Sequence, residues 1–180
     1  MTLAKPRILV IGGLGNFGAR ICKRLMLGAH FEVIAGSRSC TDSATHTFAS
    51  GQTVRTARVD IDGADLPQQL RELAPAVVIH CAGPFQAQDY QVAQACCAID
   101  AHYIDIADGR AYVSNFAARI NEQAKASGIC AISGASTVPG LSSAVVDALA
   151  PGFARLDAID IAIAPGQQAP RGVATIQAVF

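Results

Sequence analysis

Seven residues near the start of the chain, Gly12-Gly13-Leu14-Gly15-Asn16-Phe17-Gly18, restrict its fold more than any other feature. They follow a short apolar run, residues 7–11 (RILVI), and lead into an amphipathic one, residues 19–27 (ARICKRLML). In the second run Ile21, Cys22, Leu25 and Met26 fall on one helical face, with Arg20, Lys23 and Arg24 between them. The pattern predicts a buried strand, a sharp turn and a helix lying back on the strand. Gly13, Gly15 and Gly18 form a G-x-G-x-x-G spacing within that turn. Gly13 is expected to permit the tight exit from the strand, Gly15 to let an outside group approach the backbone, and Gly18 to let the helix pack on the strand.

The rest of the chain repeats this alternation. Strands are expected at residues 32–35, 56–59, 76–81, 103–106 and 129–132, and helices at 66–73, 89–98, 112–126 and 141–149. The run 112–126 carries the cleanest stripe, with Val113, Phe116, Ala117, Ile120 and Ala124 on one side. Gly28 and Gly128 follow helical runs and should stop them. Strand and helix in strict alternation give an α/β fold, a doubly wound parallel sheet of the Rossmann-like kind with right-handed crossovers. The rhythm changes after Pro151. Residues 158–164 (AIDIAIA) read as a strand of another layer, 166–172 as a loop, and 173–180 as an apolar run without a polar tail. Residues 1–150 are thus expected to form a dinucleotide-binding domain. Residues 151–180 are expected to be the truncated start of a second α/β domain, for substrate binding or dimerisation.

The first helical residues, Asn16, Phe17 and Gly18, would aim backbone N–H groups and the positive end of the helix dipole at a pyrophosphate. An NAD-binding domain usually places a carboxylate about 20 residues past the glycines, on the ribose 2′-hydroxyl. Here that place holds Ser37 and Arg38, and no carboxylate lies between Glu32 and Asp42. Arginine pairs with a 2′-phosphate that a carboxylate would repel, so the expected cofactor is NADP. Asp60 either accepts from the adenine amino group or caps a turn. Ala82, Gly83 and Pro84, after the strand at 76–81, leave a clear path for the nicotinamide half.

Catalytic candidates are fewer. Asp105 lies between two isoleucines in a buried strand, and Asp108 follows at the strand's carboxyl end. Each is a potential general acid or base, with buried hydrogen bonding (Asp105) or helix capping (Asp108) as the plainer role. His80 and Tyr103 read as core or rim residues, Cys81 lacks a visible cationic neighbour, and Ser136 and Thr137 are placed to touch a ligand. No tyrosine has a lysine four residues on, which argues against a short-chain dehydrogenase. Charged residues make up 16% of the chain and the net charge is zero, so a nucleic-acid or anionic-membrane partner is not expected. No apolar run approaches the roughly 20 residues that span a bilayer. The N-terminus lacks a signal-peptide layout, and the six cysteines form no C-x-x-C pair. No metal site and a reducing, cytoplasmic setting are the expectations.

Four segments, VIGGLGNFG, VVIHCAGPF, HYIDIADG and ASTVPGLSSAVVDAL, occur in order over most of residues 5–150. Together they resemble the NADP-binding domain of the saccharopine dehydrogenase-like family. The resemblance implies a Rossmann-type domain, NADP(H), hydride-transfer oxidoreductase chemistry, and a second α/β domain with the substrate contacts, beginning near Leu156. Saccharopine-reducing members resemble D-P-G-x-D-H where this chain has Val138-Pro139-Gly140-Leu141-Ser142-Ser143. Loss of the acidic residue and the histidine points to another, unassigned small-molecule substrate. The competing expectation is a non-catalytic NADP-binding sensor or scaffold. The high apolar content, 51%, is compatible with a homodimer.

Overall fold

The structure, a computed structural model, describes residues 4–164. In chain order its elements are β1 (Arg7–Ile11), α1 (Asn16–Met26), β2 (Glu32–Ser37), β3 (Thr45–Thr47), β4 (Thr53–Arg58) and α2 (Leu66–Leu73). There follow β5 (Val77–His80), α3 (Gln91–Cys97), β6 (His102–Asp105), α4 (Arg110–Ala126), β7 (Ala131–Ile132) and α5 (Ser142–Leu149). The seven strands form one sheet in the order β3-β4-β2-β1-β5-β6-β7, parallel throughout except for β3. β1 is central, with Leu9 and Val10 fully buried, because apolar layers cover it on both faces.

One layer joins Leu9, Ile11, Ile34 and Val78 to Leu66, Leu70, Val92, Phe116 and Ile120 of the helices. The other joins Ile8, Val10, Val33 and Ala35 to Cys22 of α1 and to Phe48 and Val54. Alternate residues of each strand thus supply opposite layers, as the two-residue period requires. The doubly wound α/β class expected from the alternation is the one found.

Several details differ. α1 begins at Asn16, earlier than the expected 19, because Gly15 is already in an extended conformation and serves as its N-cap. β4 runs Thr53–Arg58 instead of 56–59, and β3, a polar Thr-His-Thr triplet with no apolar signal, pairs antiparallel with it. A Thr47–Thr53 hydroxyl contact of 3.0 Å adds to that pairing. The strand expected at 129–132 shortens to Ala131–Ile132. Before α5 the chain makes a wide turn, Thr137–Leu141, with a cis Val138–Pro139 peptide.

Residues 158–164 do not form the expected strand. Ile159, Ile161 and Ile163 are exposed, and among the described residues the segment joins no ladder. Alternation supplies a face, but a strand also needs a neighbour's amides. The loop expected at 166–172 and the apolar run at 173–180 lie outside the described residues. No helix among the described residues is long and apolar enough to cross a membrane.

Candidate functional site

β1 sends its crossover to β2 on one side, while its other neighbour, β5, leads on to β6. The loops leaving β1 and β5 therefore diverge at the carboxyl edge of the sheet, which opens a crevice between them. A cavity of about 410 Å³ occupies that place. Gly12, Ala82, Gly83 and Pro84 line it together with Ser37, Arg38 and Asp62.

The loop after β1 is pinned from two sides. The N–H groups of Gly12 and Gly13 both donate to the Gly36 carbonyl of β2, at 2.8 and 3.2 Å. Gly12 has φ +76°, and a Cβ there would lie 3.0 Å from the Ala82 nitrogen. The left-handed residue of the tight turn is therefore Gly12. Gly13 is needed for another reason, since its Cβ would sit 2.8 Å from Ala35. A Cβ on Gly18 would collide with the Gly12 carbonyl, so α1 packs directly on the turn as expected.

Gly15 differs from these. A Cβ there would meet only the Gly12 oxygen, at 3.1 Å. No side chain caps the first turn of α1, and that turn has no acidic residue. The demand for glycine at 15 is milder than at 13 or 18: a Cβ there has this one tight contact and nothing else within 4 Å. The space over the helix N-terminus, edged by amides and the positive end of the helix, suits a phosphate.

The far end of the crevice follows from strand register. β2 and β4 pair with Ser37 opposite Arg58, so the residues after each run side by side. Arg38 and Asp62 meet at 4.0 Å, with both side chains about three-quarters exposed (74% and 71%). The Ser37 hydroxyl lies 3.3 Å from that of Ser39. Asp60 stands behind this wall: it accepts from the Asp62 N–H at 3.3 Å, and its own N–H donates to Gln69 at 3.0 Å. Of the two roles considered for Asp60, turn capping is the one its geometry displays.

The loop after β5 is held by a pair that sequence reading did not bring together. The Gln88 side-chain nitrogen donates to the carbonyls of Ala82 (2.7 Å) and Pro84 (3.1 Å). Its oxygen is then left to accept from His80 Nε2 at 2.9 Å, which fixes the proton on that ring nitrogen. Nδ1 is buried without a partner among the described residues. Burial pushes the His80 pKa below its usual 6.5, opposed by the bond to Gln88 and the Asp105 charge. Below about pH 6.5 the unfolded chain takes up a proton that the folded one refuses, so stability falls as pH drops through that range. We expect the stability difference between wild type and His80→Gln to shrink from pH 7 to pH 5, by parallel denaturant titrations. A difference independent of pH would refute this.

Asp105 is fully buried and accepts from the Tyr103 hydroxyl (3.1 Å), the Ala107 N–H (3.0 Å), the Ser133 hydroxyl (3.0 Å) and the Gly134 N–H (2.8 Å). It is a knot between β6 and the turn after β7, with no face toward solvent. Asp108 is exposed and caps nothing, for α4 starts from Gly109 without a side-chain cap. It accepts from Gln86 at 3.3 Å and lines a second cavity of about 310 Å³ with Phe17, Arg20, Ser136 and Thr137. Burial pushes the Cys81 thiol up to about 12, which disfavours the thiolate that a nucleophile requires.

The profile of the saccharopine dehydrogenase NADP-binding domain matches residues 8–132, well over half of the chain. The chain belongs to that family. In this saccharopine dehydrogenase NADP-binding domain the matched stretch begins in β1 and ends with β7, so it takes in the whole glycine turn, the Arg38 loop and the Gly83–Pro84 loop. No curated protein sequence matches the chain. Among solved structures, an engineered D-amino acid dehydrogenase bound to NADP+ superposes with a TM-score of 0.57 at 23% identity, over 82% of this chain and 42% of that one. An amine dehydrogenase from Mycobacterium smegmatis gives 0.51 at 14% identity, over 72% and 39%. These likenesses show the fold, and the chain spans about two-fifths of each of those proteins.

Proposed function

We propose that this domain holds NADP(H) across the crevice and serves an oxidoreductase that passes hydride to or from a small molecule. One observation carries the reading: the glycine turn, at Gly12, and the Arg38 loop line the same crevice, beside a helix N-terminus whose first turn holds no acidic residue. The pyrophosphate would rest over the first amides of α1, at Asn16, Phe17 and Gly18, on the turn that Gly13 and Gly15 shape through their own bonds to the Gly36 and Gly12 carbonyls. Ser37 and Arg38 would take the 2′-phosphate, with Ser39 beside them. Asp60 sits behind the adenine end as a brace. Ala82, Gly83 and Pro84 would flank the path toward the nicotinamide, the part of the cofactor that exchanges hydride.

Asp108, with Ser136 and Thr137, is the polar group we assign to the reactive side, and Asp105 is its structural support. Residues 1–150 would be the dinucleotide-binding domain, with 151–180 leading into a domain that supplies substrate contacts and a homodimer surface. Six free thiols suit a cytoplasmic setting.

Titration of the full chain with NADPH and NADH, followed by cofactor fluorescence, tests the assignment. Arg38→Ala should weaken NADPH about 10- to 100-fold, the worth of a charged hydrogen bond, and leave NADH within about twofold. Equal losses for both, or none for either, would remove Arg38 from the site. A chain that binds NADPH but oxidises it with no metabolite, even when joined to its following domain, would be a sensor.

A further inference from the structure

We infer that Asp62 is a specificity-determining residue that restrains the preference for NADP over NAD; this rests on the cofactor site proposed above. No signal in the local sequence places Asp62 near Arg38, since 23 intervening residues include two strands. The Ser37–Arg58 register does so, aided by the Val59 N–H bonding the Ser37 carbonyl at 3.2 Å. Asp60 then turns the chain through its bond to the Asp62 N–H. The Asp62 carboxylate ends at the crevice wall, 4.0 Å from the Arg38 guanidinium.

Two consequences follow from charge alone. A 2′-phosphate reaching Arg38 must displace a carboxylate already beside it, and it then sits near that negative charge. NAD brings a hydroxyl to the same place, which a carboxylate accepts. Asp62 therefore works against the arginine: it lowers affinity for the phosphorylated cofactor and spares the other. Both side chains face water, so the effect is modest and screened by salt.

The test is Asp62→Asn in the full chain, titrated with NADPH and NADH at low salt and at about 0.5 M salt. The ratio of NADPH to NADH affinity should rise three- to tenfold at low salt, and the gain should shrink at high salt. A gain cannot come from a damaged fold. An unchanged or lowered ratio, with both cofactors still bound by wild type, overturns this inference and leaves the cofactor site standing. Wild type that binds neither cofactor overturns both.

Discussion

Asp105→Ala should lower the stability of this domain by about 3–5 kcal/mol, because it strips the partner from two buried backbone N–H groups, those of Ala107 and Gly134. Each such orphan costs about 1–3 kcal/mol, and the Tyr103 and Ser133 hydroxyls lose their acceptor as well. In a domain of this size the loss corresponds to a fall in Tm of roughly 10 °C or more. Asp105→Asn should cost less, about 1–2 kcal/mol, since its oxygen can still accept from both N–H groups while the Tyr103 hydroxyl rotates to accept from the new amide. Thermal and denaturant unfolding of both variants check the order. An alanine variant within about 1 kcal/mol of wild type would show that Asp105 is not the knot described here.

The second large effect separates the two glycines that flank the start of α1. A Cβ at Gly18 meets the carbonyl oxygen of Gly12 and, at 2.8 Å, the Cα of Gly13, all of it backbone that cannot swing aside. Gly18→Ala should therefore displace the helix from the turn, costing about 2–3 kcal/mol by overpacking and removing cofactor binding by 100-fold or more. Gly15→Ala meets one oxygen at 3.1 Å and should leave stability within about 1 kcal/mol of wild type, while still weakening NADPH at least tenfold. A stable variant that fails to bind is the signature of a glycine kept for a ligand. If Gly15→Ala bound NADPH as wild type does, the phosphate would not lie over Gly15. If Gly18→Ala unfolded and Gly15→Ala unfolded equally, the distinction between a structural and a ligand glycine would be wrong.

What the residues announced and what they hid divide along a physical line. Local periodicity marked β1, α2 and α4, because each displays its buried face within a few residues. It missed β3, where three polar residues gain their order from Thr53–Arg58 next to them. It marked residues 158–164 as a strand from alternation alone, although a ladder requires a partner that those residues lack among the described ones. At the site, the shared position of the glycine turn and the Arg38 loop on one crevice was legible because both follow neighbouring parallel strands at a fixed spacing. Within the turn, only backbone angles reveal that the left-handed residue is Gly12.

Asp62 and Gln88 were invisible for one reason. Their meaning lies in contacts with Arg38 and His80, set by strand register and loop closure. Asp105 was visible as a buried carboxylate, but a sequence does not tell whether such a group is aimed at a substrate or saturated by its neighbours. Four donors within 3.1 Å answer that.

The claim on which the account depends is that NADP lies against the glycine turn at the carboxyl edge of β1. Amide chemical-shift mapping of the full chain on addition of NADP+ tests it most directly. Saturable shifts are expected at Gly12, Gly13, Gly15, Arg38 and Gly83, with little change at the opposite edge of the sheet around Lys5 and Ala76. Saturating NADP+ that leaves the glycine-turn amides unmoved would contradict it.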